Sequence, residues 1–567
     1  MRIKILNFLL IFIFCLLLLR IFSFQVAQSS RLRELSDQNS IRLIEQEGGR
    51  GVIYDRNSQV IAGNSLSHDL MILPQDKQQV ARALPVVARV SGISLEELKS
   101  RFKKGYTASF APVVLLKNIS LKKAIAFGEL KTEYSCLVIQ PHPLRSYPAG
   151  KLACHVIGYL GEIDHWRLTK LKDYGYKTRD IVGFGGIEEK LDYYLRQKEG
   201  ALSLEVDHKG KFIRLLGFKP PQDGKDIQLT LDIRIQKLAE EALGERKGAV
   251  VLMDPYSGEV LVMASSPGFE PEAFLGPSVK ATQSFSNSAL VNRAISSSYA
   301  PGSVFKLVTA AGGVETKKIN LSTTYFCPGK LRVGNRDFAC WDTHNQENLA
   351  AAIAHSCDVF FYKTGLLIGP QALHDYAVKF GLGKPTGIDL PYEVNGFVPD
   401  PLWKKISRLQ GWYDGDTANF SIGQGDLLTT PLQISRLVAV FANQGTLVTP
   451  YLIKSVGGVN FEDPRRRQSR VPVKKEIIGY LRKDMIGTIK DPSGTANILA
   501  VLPVEIAGKT GTAQAGPNRT HGWFAGFFPY AEPRYVICVF LEGSGSGHMA
   551  SILAKQIIQG MIDQKIL

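Results

Sequence analysis

Residues 299–306 read Tyr-Ala-Pro-Gly-Ser-Val-Phe-Lys, with a serine one helical turn before a lysine. Residues three positions apart lie on one face of a helix, so Ser303 and Lys306 can place their side chains together. A lysine amine held against a serine hydroxyl can act as its base when burial and neighbouring charges lower the pKa of the amine. The stretch therefore predicts a nucleophilic serine with a lysine as its base.

The Ser-x-x-Lys pattern alone is weak evidence, because it recurs twice in this chain. Ser100 and Lys103 form one copy, and Ser120 and Lys123 form another. Both lie in charged surroundings, which are typical of a solvated helix face. Only the copy at Ser303 follows Pro-Gly and precedes two further motifs in a meaningful order.

The first of these later motifs is Ser356-x-Asp358, which precedes an aromatic-rich helical stretch. A serine hydroxyl and a carboxylate at this spacing can join a hydrogen-bond network that moves a proton. The triplet therefore predicts a second group of catalytic side chains.

The second later motif is Lys509-Thr510-Gly511, followed by Thr512, in a run of small residues that precedes predicted strands. Small side chains let a substrate backbone lie along a strand edge. The same tripeptide occurs at residues 363–365, but there it follows aromatic residues on a predicted helix. We therefore assign the motif to residues 509–511.

The order Ser-x-x-Lys, Ser-x-Asp, Lys-Thr-Gly is the arrangement found in penicillin-binding proteins and serine β-lactamases. The chain resembles class B penicillin-binding proteins over nearly its whole length, and most closely the elongation type, penicillin-binding protein 2. Asp358 stands where asparagine is commoner, and this variant is typical of that branch. Outside the three motifs, the resemblance is carried by residues 50–57, 145–148 with His155, Gly158 and Tyr159, 183–188 with Leu195, 292–294, 423–425 and 430–433.

The resemblance implies a D,D-transpeptidase that cross-links peptidoglycan stem peptides during cell elongation and is acylated by β-lactams. Ser303 would attack the penultimate D-Ala carbonyl of a pentapeptide stem, and Lys306 would be the general base. Ser356 would relay the proton to the leaving amine, with Asp358 in the supporting hydrogen-bond network. A neighbouring stem's amine would then take the acyl group.

The same resemblance assigns roles to the third motif. Backbone N–H groups of Ser303 and Thr512 would form the oxyanion hole. Lys509 and Thr510, beside Gly511, would hold the substrate carboxylate. No catalytic cofactor is implied, and a SEDS-family glycan polymerase with the elongation machinery is the implied partner.

The predicted fold class is α+β. Residues 249–253 and 260–264 are apolar runs joined by a turn, and 523–528 with 535–541 form another strand pair. A helix is expected from about residue 550, and long helical stretches lie between the strand pairs. The pattern predicts an antiparallel sheet flanked by helices.

The N-terminus predicts a membrane anchor. Residues 5–24 are almost entirely Leu, Ile and Phe, enough to span a bilayer core of ~30 Å. Arg2 and Lys4 precede the run, so the positive-inside rule places the N-terminus in the cytoplasm and the bulk in the periplasm, on a single-pass inner-membrane protein. A cleaved signal peptide is the alternative, but the run exceeds its usual ~7–15 residues.

Four predicted parts follow from the anchor and from a turn-rich linker at residues 217–225. The predicted parts are a cytoplasmic tail at 1–4, the anchor at 5–24, a pedestal, or dimerisation-like, domain at 25–225 and a transpeptidase domain at 226–567.

A metal site is predicted beside the second motif. Cys327, Cys340, His344 and Cys357 lie close in sequence, and three thiolates with one imidazole suit tetrahedral zinc. Some members of the resembled branch carry zinc between these segments. Four protein ligands leave no open position, so the zinc would be structural. Asp337 or Asp342 could replace a ligand, and the alternatives to zinc are a disulfide or buried thiols.

The net charge of +16 suits nucleic acid, a membrane surface or an anionic polymer. An exported location makes nucleic acid an unsuitable partner and leaves lipid-linked precursors and wall polymers. Three functions compete with elongation: a septal class B transpeptidase, a β-lactamase or β-lactam sensor, and a non-catalytic wall scaffold. The cysteine cluster and Asp358 argue against the septal type, and the intact motifs argue against a scaffold.

Overall fold

A computed structural model describes residues 2–74, 76–107, 111–207, 212–275, 287–463, 466–543 and 545–567. The chain divides into two compact units, each built from separate stretches of sequence. The first unit comprises Met1–Gly51, Asn64–Ser146 and Arg196–Lys225, and the second comprises Val52–Gly63, Tyr147–Leu195 and Asp226–Leu567.

The N-terminal residues form one long apolar helix. It continues through a π-helical turn, and Ile3–Ala27 has a mean hydropathy of 2.8 with its side chains exposed. Among the described residues, this is the one helix long and apolar enough to cross a membrane. The helices up to residue 225 are α1 Arg2–Phe22, α2 Ser29–Ser40, α3 Lys77–Ser91, α4 Leu95–Gly105, α5 Leu121–Leu130, α6 Cys154–Ile157, α7 His165–Leu171, α8 Gly186–Lys190 and α9 Asp192–Leu195.

Within the first unit, two sheets are formed. The first has the antiparallel order β1-β8-β9, and in the second the later part of β3 pairs with β4 and β5. Helices α3 to α5 pack on the second sheet through Leu70, Leu98 and Phe127. The strands up to residue 225 are β1 Ile41–Gln46, β2 Ile53–Tyr54, β3 Val60–Ile72, β4 Val113–Ile119, β5 Leu137–Ser146, β6 Tyr159–Glu162, β7 Ile181–Phe184, β8 Gly200–Val206 and β9 Phe212–Lys219.

The second unit is organised around a five-stranded antiparallel sheet of order β12-β11-β23-β22-β21. The predicted hairpin and the predicted strand pair are confirmed, as is the α+β class. The strands after residue 225 are β10 Ile227–Leu229, β11 Gly248–Met253, β12 Val260–Ser266, β13 Thr324–Cys327, β14 Lys330–Val333, β15 Arg336–Ala339, β16 Asn345–Asn348, β17 Thr446–Leu447, β18 Ile453–Val456, β19 Val459–Asn460, β20 Ser469–Arg470, β21 Ala507–Gln514, β22 Thr520–Phe528 and β23 Tyr535–Leu541.

Both faces of this sheet are buried, because successive side chains of a strand point to opposite faces. Val250 and Leu252 pack with α10 and α19, whereas Val251 and Met253 join the core formed with α11, α13 and α16. The helices after residue 225 are α10 Ile233–Leu243, α11 Lys306–Glu315, α12 Leu349–Ala354, α13 Asp358–Lys379, α14 Pro401–Arg408, α15 Asp414–Ser421, α16 Pro431–Ala442, α17 Lys475–Asp484, α18 Gly487–Lys490 and α19 Gly547–Asp563.

Two stretches from the N-terminal half also belong to the second unit. Strand β2 pairs in parallel with β10, with Ile53 opposite Ile227. Tyr147, Ile157 and Leu195 lie in the same buried cluster as the sheet. No motif or linker in the sequence predicts this packing, and the predicted domain bounds stay predictions.

Candidate active site

Ser303 lies on a short 3-10 turn, Gly302–Phe305, that leads into α11. Gly302 adopts a φ of +55°, which favours glycine, and a Cβ there would lie 2.8 Å from the carbonyl oxygen of Thr512. The Gly302 N–H donates to the carbonyl of Gly423 (2.9 Å). Ser303 is half-buried although residues 301, 302 and 304–306 are buried. The turn therefore presents the serine to the surface on a tightly held backbone.

Lys306 joins the first motif to the second. Its side chain is fully buried, and Nζ donates to the carbonyl of Ser356 (2.7 Å) and to Ser356 Oγ (3.2 Å). It also forms an ion pair with Asp358 Oδ1 at 2.7 Å. A buried lysine needs such partners, because the desolvation of an unpaired ammonium is costly. The predicted Lys306, Ser356 and Asp358 thus form one hydrogen-bonded cluster.

Ser356 occupies the corner between α12 and α13. Its φ of +56° is uncommon for a residue with a Cβ and costs of order 1–3 kcal/mol. Trp341 Nε1 donates to the Ser356 carbonyl (3.3 Å), and the Asp358 N–H donates to Cys340 Sγ (3.2 Å). The surrounding residues therefore hold this corner in its strained form.

The third motif lies on β21, the edge strand of the five-stranded sheet. A Cβ at Gly511 would lie 2.8 Å from the carbonyl oxygen of Pro301, and one at Gly547 would lie 2.9 Å from Thr510 Cβ. Glycine thus allows the strand to approach both the turn before Ser303 and the start of α19. The close fit brings the first and third motifs together.

Lys509 is fully buried, and its Nζ donates to the carbonyl of Thr510 (3.1 Å). Burial and the nearby charge of Lys306 hold the pKa of Lys509 well below its usual range, although Asp358 opposes this. The hydroxyl groups of Thr510 and Thr512 lie on the strand itself, and Thr512 Oγ1 accepts from the Gly547 N–H (3.0 Å).

The other copies of the motifs lie elsewhere. Ser100 and Lys103 are exposed on α4, and Lys123 Nζ donates to the Ser91 carbonyl instead (3.0 Å). Residues 363–365 lie inside α13, where the hydroxyl of buried Thr364 donates to a helix carbonyl. None of these copies combines its residues with a second motif in the described structure.

Sequence reasoning missed a histidine beside the second motif. His355 precedes Ser356, and its ring nitrogens lie 2.9 Å from Glu347 Oε1 and 3.3 Å from Asp491 Oδ2. Burial lowers the pKa of His355, but the hydrogen bonds and charges of the two carboxylates outweigh it, so the pKa is raised. A lone histidine in a sequence carries no spacing signal that would reveal such partners.

The predicted metal ligands do come together. The Sγ atoms of Cys327, Cys340 and Cys357 and a ring nitrogen of His344 all lie within 4.8 Å of one another. His344 Nδ1 is 3.7 Å from Cys327 Sγ and 3.5 Å from Cys340 Sγ. Tetrahedral zinc with its usual Zn–S and Zn–N lengths separates such atoms by about 3.6 Å. The donor set and its spacing therefore fit zinc.

The alternative carboxylate ligands point elsewhere. Asp337 pairs with Lys330 (2.9 Å) and Arg332 (3.1 Å), and Asp342 accepts from a backbone N–H. All seven cysteines are free thiols. A hydrogen bond between Cys340 and Cys357 lowers the pKa of Cys340 and raises that of Cys357. This favours a thiolate at Cys340, the form in which cysteine binds metal.

Two family models match the chain. The penicillin binding protein transpeptidase domain matches residues 248–559, and the penicillin-binding protein dimerisation domain matches residues 45–229. The first match alone covers more than half of the sequence. The dimerisation match precedes the transpeptidase match along the chain.

Two similar relatives are named peptidoglycan D,D-transpeptidase MrdA. The protein from Acinetobacter baumannii is 32% identical, over 96% of this chain and 85% of the relative. The protein from Escherichia coli is 30% identical, over 96% of this chain and 91% of the relative.

Solved structures agree with the family models. Penicillin-binding protein 2 of Helicobacter pylori, solved in complex with MreC, has a TM-score of 0.82 at 29% identity and covers 93% of this chain and 99% of its own. A peptidoglycan synthase complex contains a chain with a TM-score of 0.75 at 29% identity, covering 99% and 98%. The chain therefore belongs to the class B penicillin-binding proteins, on the elongation-type penicillin-binding protein 2 branch.

Proposed function

We propose that this chain is a D,D-transpeptidase that cross-links peptidoglycan stem peptides during cell elongation. The observation that carries the proposal is the buried Lys306 side chain, which bonds to Ser356 and Asp358 and lies three residues after the half-buried Ser303. The similar relatives with this activity in their names support it.

In the acylation step, Ser303 Oγ attacks the penultimate D-Ala carbonyl and its proton passes to Lys306, which accepts it as the neutral amine. Asp358 stabilises the ammonium that forms. Ser356 Oγ then gives its proton to the amine of the terminal D-Ala as the C–N bond breaks, and Lys306 passes the proton that it took from Ser303 on to Ser356. An acyl-enzyme is left, and the amine of a neighbouring stem attacks it, which forms the cross-link and returns the proton to Ser303.

Two backbone N–H groups, those of Ser303 and Thr512, would stabilise the oxyanion. Gln424 Nε2 donates to the Thr512 carbonyl (3.4 Å) and so helps to fix this peptide of β21. One such donor is worth roughly 10²–10³ in rate in other enzymes. The edge of β21 would hold the donor peptide in an extended form, with the small residue Gly511 leaving room.

Thr510 would bind the terminal carboxylate of the substrate, or the carboxylate of a β-lactam. Its hydroxyl can donate a hydrogen bond, and the buried Lys509 lies beside it, with Nζ 3.1 Å from the Thr510 carbonyl oxygen. A carboxylate accepts several hydrogen bonds and is favoured near a cation.

Acylation by a labelled penicillin tests the activity. We expect one label at Ser303, located by peptide mass, and complete loss of labelling in Ser303→Ala. Rapid release of hydrolysed penicillin would favour a β-lactamase, and a wild-type chain that is never labelled would favour the scaffold. Depletion in cells should give round cells, whereas filaments would favour the septal enzyme.

The helix Ile3–Ala27 supports a single-pass anchor in the inner membrane, with the N-terminus in the cytoplasm and residues 25–567 in the periplasm. Protease added outside spheroplasts should then degrade all but the first residues. Protection of the bulk would reverse the orientation, and a mature chain lacking the helix would support a cleaved signal.

A glycan polymerase of the SEDS family is the proposed partner, as the resemblance to the elongation-type branch implies. The solved synthase complex and the complex with MreC each contain a structural relative of this chain. Co-purification of tagged protein from membranes tests this partnership.

The bounds 25–225 for the pedestal and 226–567 for the transpeptidase domain are part of the same proposal.

Cys327, Cys340, His344 and Cys357 would hold a structural zinc. The metal would fix the loops that carry Trp341, Cys340 and Cys357, and these contact Ser356 and Asp358. No catalytic step needs it.

A further inference from the structure

A threonine outside the three motifs contacts the hydroxyl of Thr510. Thr495 lies in the turn after α18, and its Oγ1 is 2.5 Å from Thr510 Oγ1. Thr510 is 5% exposed and Thr495 is half-buried, so water competes poorly for this pair. The distance is that of a direct hydroxyl–hydroxyl hydrogen bond.

The turn that carries Thr495 is tied down on both sides. The Thr495 N–H donates to the carbonyl of Ala354 (3.3 Å), two residues before Ser356. The Ala496 N–H donates to the backbone carbonyl of Thr488 (2.9 Å). A Cβ at Gly494 would lie only 2.5 Å from the Thr488 carbonyl oxygen, so the turn packs closely. Thr495 thus has a fixed place between the second and third motifs.

The direction of this hydrogen bond matters. Each hydroxyl has a single hydrogen and two acceptor lone pairs. If Thr510 donates to Thr495, it has no hydrogen left for a ligand. If Thr495 donates to Thr510, the Thr510 hydrogen is free to point at a carboxylate, which can only accept.

We propose that Thr495 is a positioning residue for the substrate carboxylate. It donates to Thr510 Oγ1 and so turns the Thr510 hydrogen toward the carboxylate of the stem peptide or β-lactam. The proposal rests on the role of Thr510 in the proposed function. It adds a residue that no motif of the chain contains.

The test compares benzylpenicillin with its methyl ester as acylating agents of the full chain. Thr495→Val keeps the shape of the side chain and removes its hydroxyl, and Thr495→Ala removes it in a second way. We expect roughly a tenfold loss in the second-order acylation rate with the free acid and no change with the ester, which lacks the charged carboxylate. Thr495→Ser should restore the rate with the acid.

Thr488→Val is the matched control. Thr488 is buried beside the same turn, and its hydroxyl has no hydrogen-bond partner among the described residues. This variant should leave both rates unchanged. An equal loss with acid and ester in Thr495→Val and Thr495→Ala would overturn the inference, because general support of the strand affects both agents.

Thr510→Val separates this inference from the proposed function. A selective loss with the acid in Thr510→Val, but not in the Thr495 variants, overturns the role of Thr495 alone. Thr510→Val could instead leave both acylation rates unchanged, or lower the rates with the acid and the ester equally. In either case the carboxylate role of Thr510 fails, and the inference fails with it. Failure of the wild-type chain to acylate at all would instead remove the proposed activity.

Discussion

Lys306 and Lys509 are two buried lysine side chains that both interact with one carboxylate, Asp358. Burial and the charge of Lys306 lower the pKa of Lys509, and only Asp358 acts in the other direction. Lys509 therefore loses its proton more readily than an exposed lysine. The electrostatics of the site thus join the first and third motifs, which lie about two hundred residues apart in sequence.

His155 gives a pH prediction at the level of a single residue. It is 7% exposed, its Nε2 lies 2.8 Å from the Ala289 carbonyl oxygen, and burial lowers its pKa to about 4. Between that value and an unfolded pKa of ~6.5, the unfolded chain binds more protons. The contribution of His155 to the free energy of unfolding is therefore fully present above about pH 6.5. It is lost as the pH drops toward 4, and the free energy of unfolding falls by up to about 3 kcal/mol.

Replacing the imidazole tests that cause. His155→Gln should flatten the dependence of the free energy of unfolding on pH between about 4 and 6.5, measured by urea titration at several pH values. An unchanged slope would assign the acid sensitivity to other groups.

At the level of elements, the loop between α15 and α16 supports the turn that carries Ser303. Gly423 has a φ of +76°, and a Cβ there would lie 2.1 Å from the Gly302 carbonyl oxygen. We expect Gly423→Ala to displace that turn and to slow penicillin acylation at least tenfold, because small misplacements of a nucleophile are costly.

Gly425 provides the matched control for this change. Its φ of +77° is nearly the same, but the nearest atom to an added Cβ is 3.7 Å away. Gly425→Ala should therefore cost only about 1 kcal/mol in stability, seen in the melting temperature, and leave acylation nearly intact. Equal effects of the two variants on acylation would refute the clash as the cause.

The hairpins between β13 and β16 give a metal prediction. Protein purified without chelator should contain about one zinc per chain, and His344→Ala should lose it together with several kcal/mol of stability. Asp337→Ala should keep the metal, because Asp337 pairs with Lys330 and Arg332. Absence of metal, or a Cys340–Cys357 disulfide found by peptide mass, would contradict zinc.

The elements that the sequence predicted well are those with local signals. The strands at 248–253 and 260–266 are adjacent apolar runs joined by a turn, and both form as predicted. The contacts of Thr495 and His355 could not be predicted, because they join residues far apart in sequence. The burial of Lys509 likewise depends on which strand ends the sheet.

At the scale of the whole molecule, the second unit needs segments from the N-terminal half. Ile53 pairs across from Ile227, and Tyr147, Ile157 and Leu195 complete the core around the sheet. A chain of residues 226–567 alone exposes the surfaces that these side chains cover. Each Å² of apolar surface left exposed lowers the free energy of unfolding by about 25 cal/mol.

We therefore expect residues 226–567 to melt at a lower temperature than residues 48–567 and to acylate with penicillin only below that temperature. Calorimetry of both chains, with labelled penicillin as the readout of folding, would check this. Equal melting temperatures would mean that the N-terminal segments add no stability to the sheet.

The strand order of the five-stranded sheet affects when the protein can fold during synthesis. Strand β11 pairs with β12 directly, but its other neighbour, β23, is made only after residues 267–534. Such distant pairing is intrinsically slow. Until Tyr535–Leu541 has been made, the sheet lacks its central strand. The apolar strands on either side of it then stay exposed to proteases and to aggregation. A chain that ends before this strand lacks the pairings of β23 with both β11 and β22, so we expect it to remain unfolded.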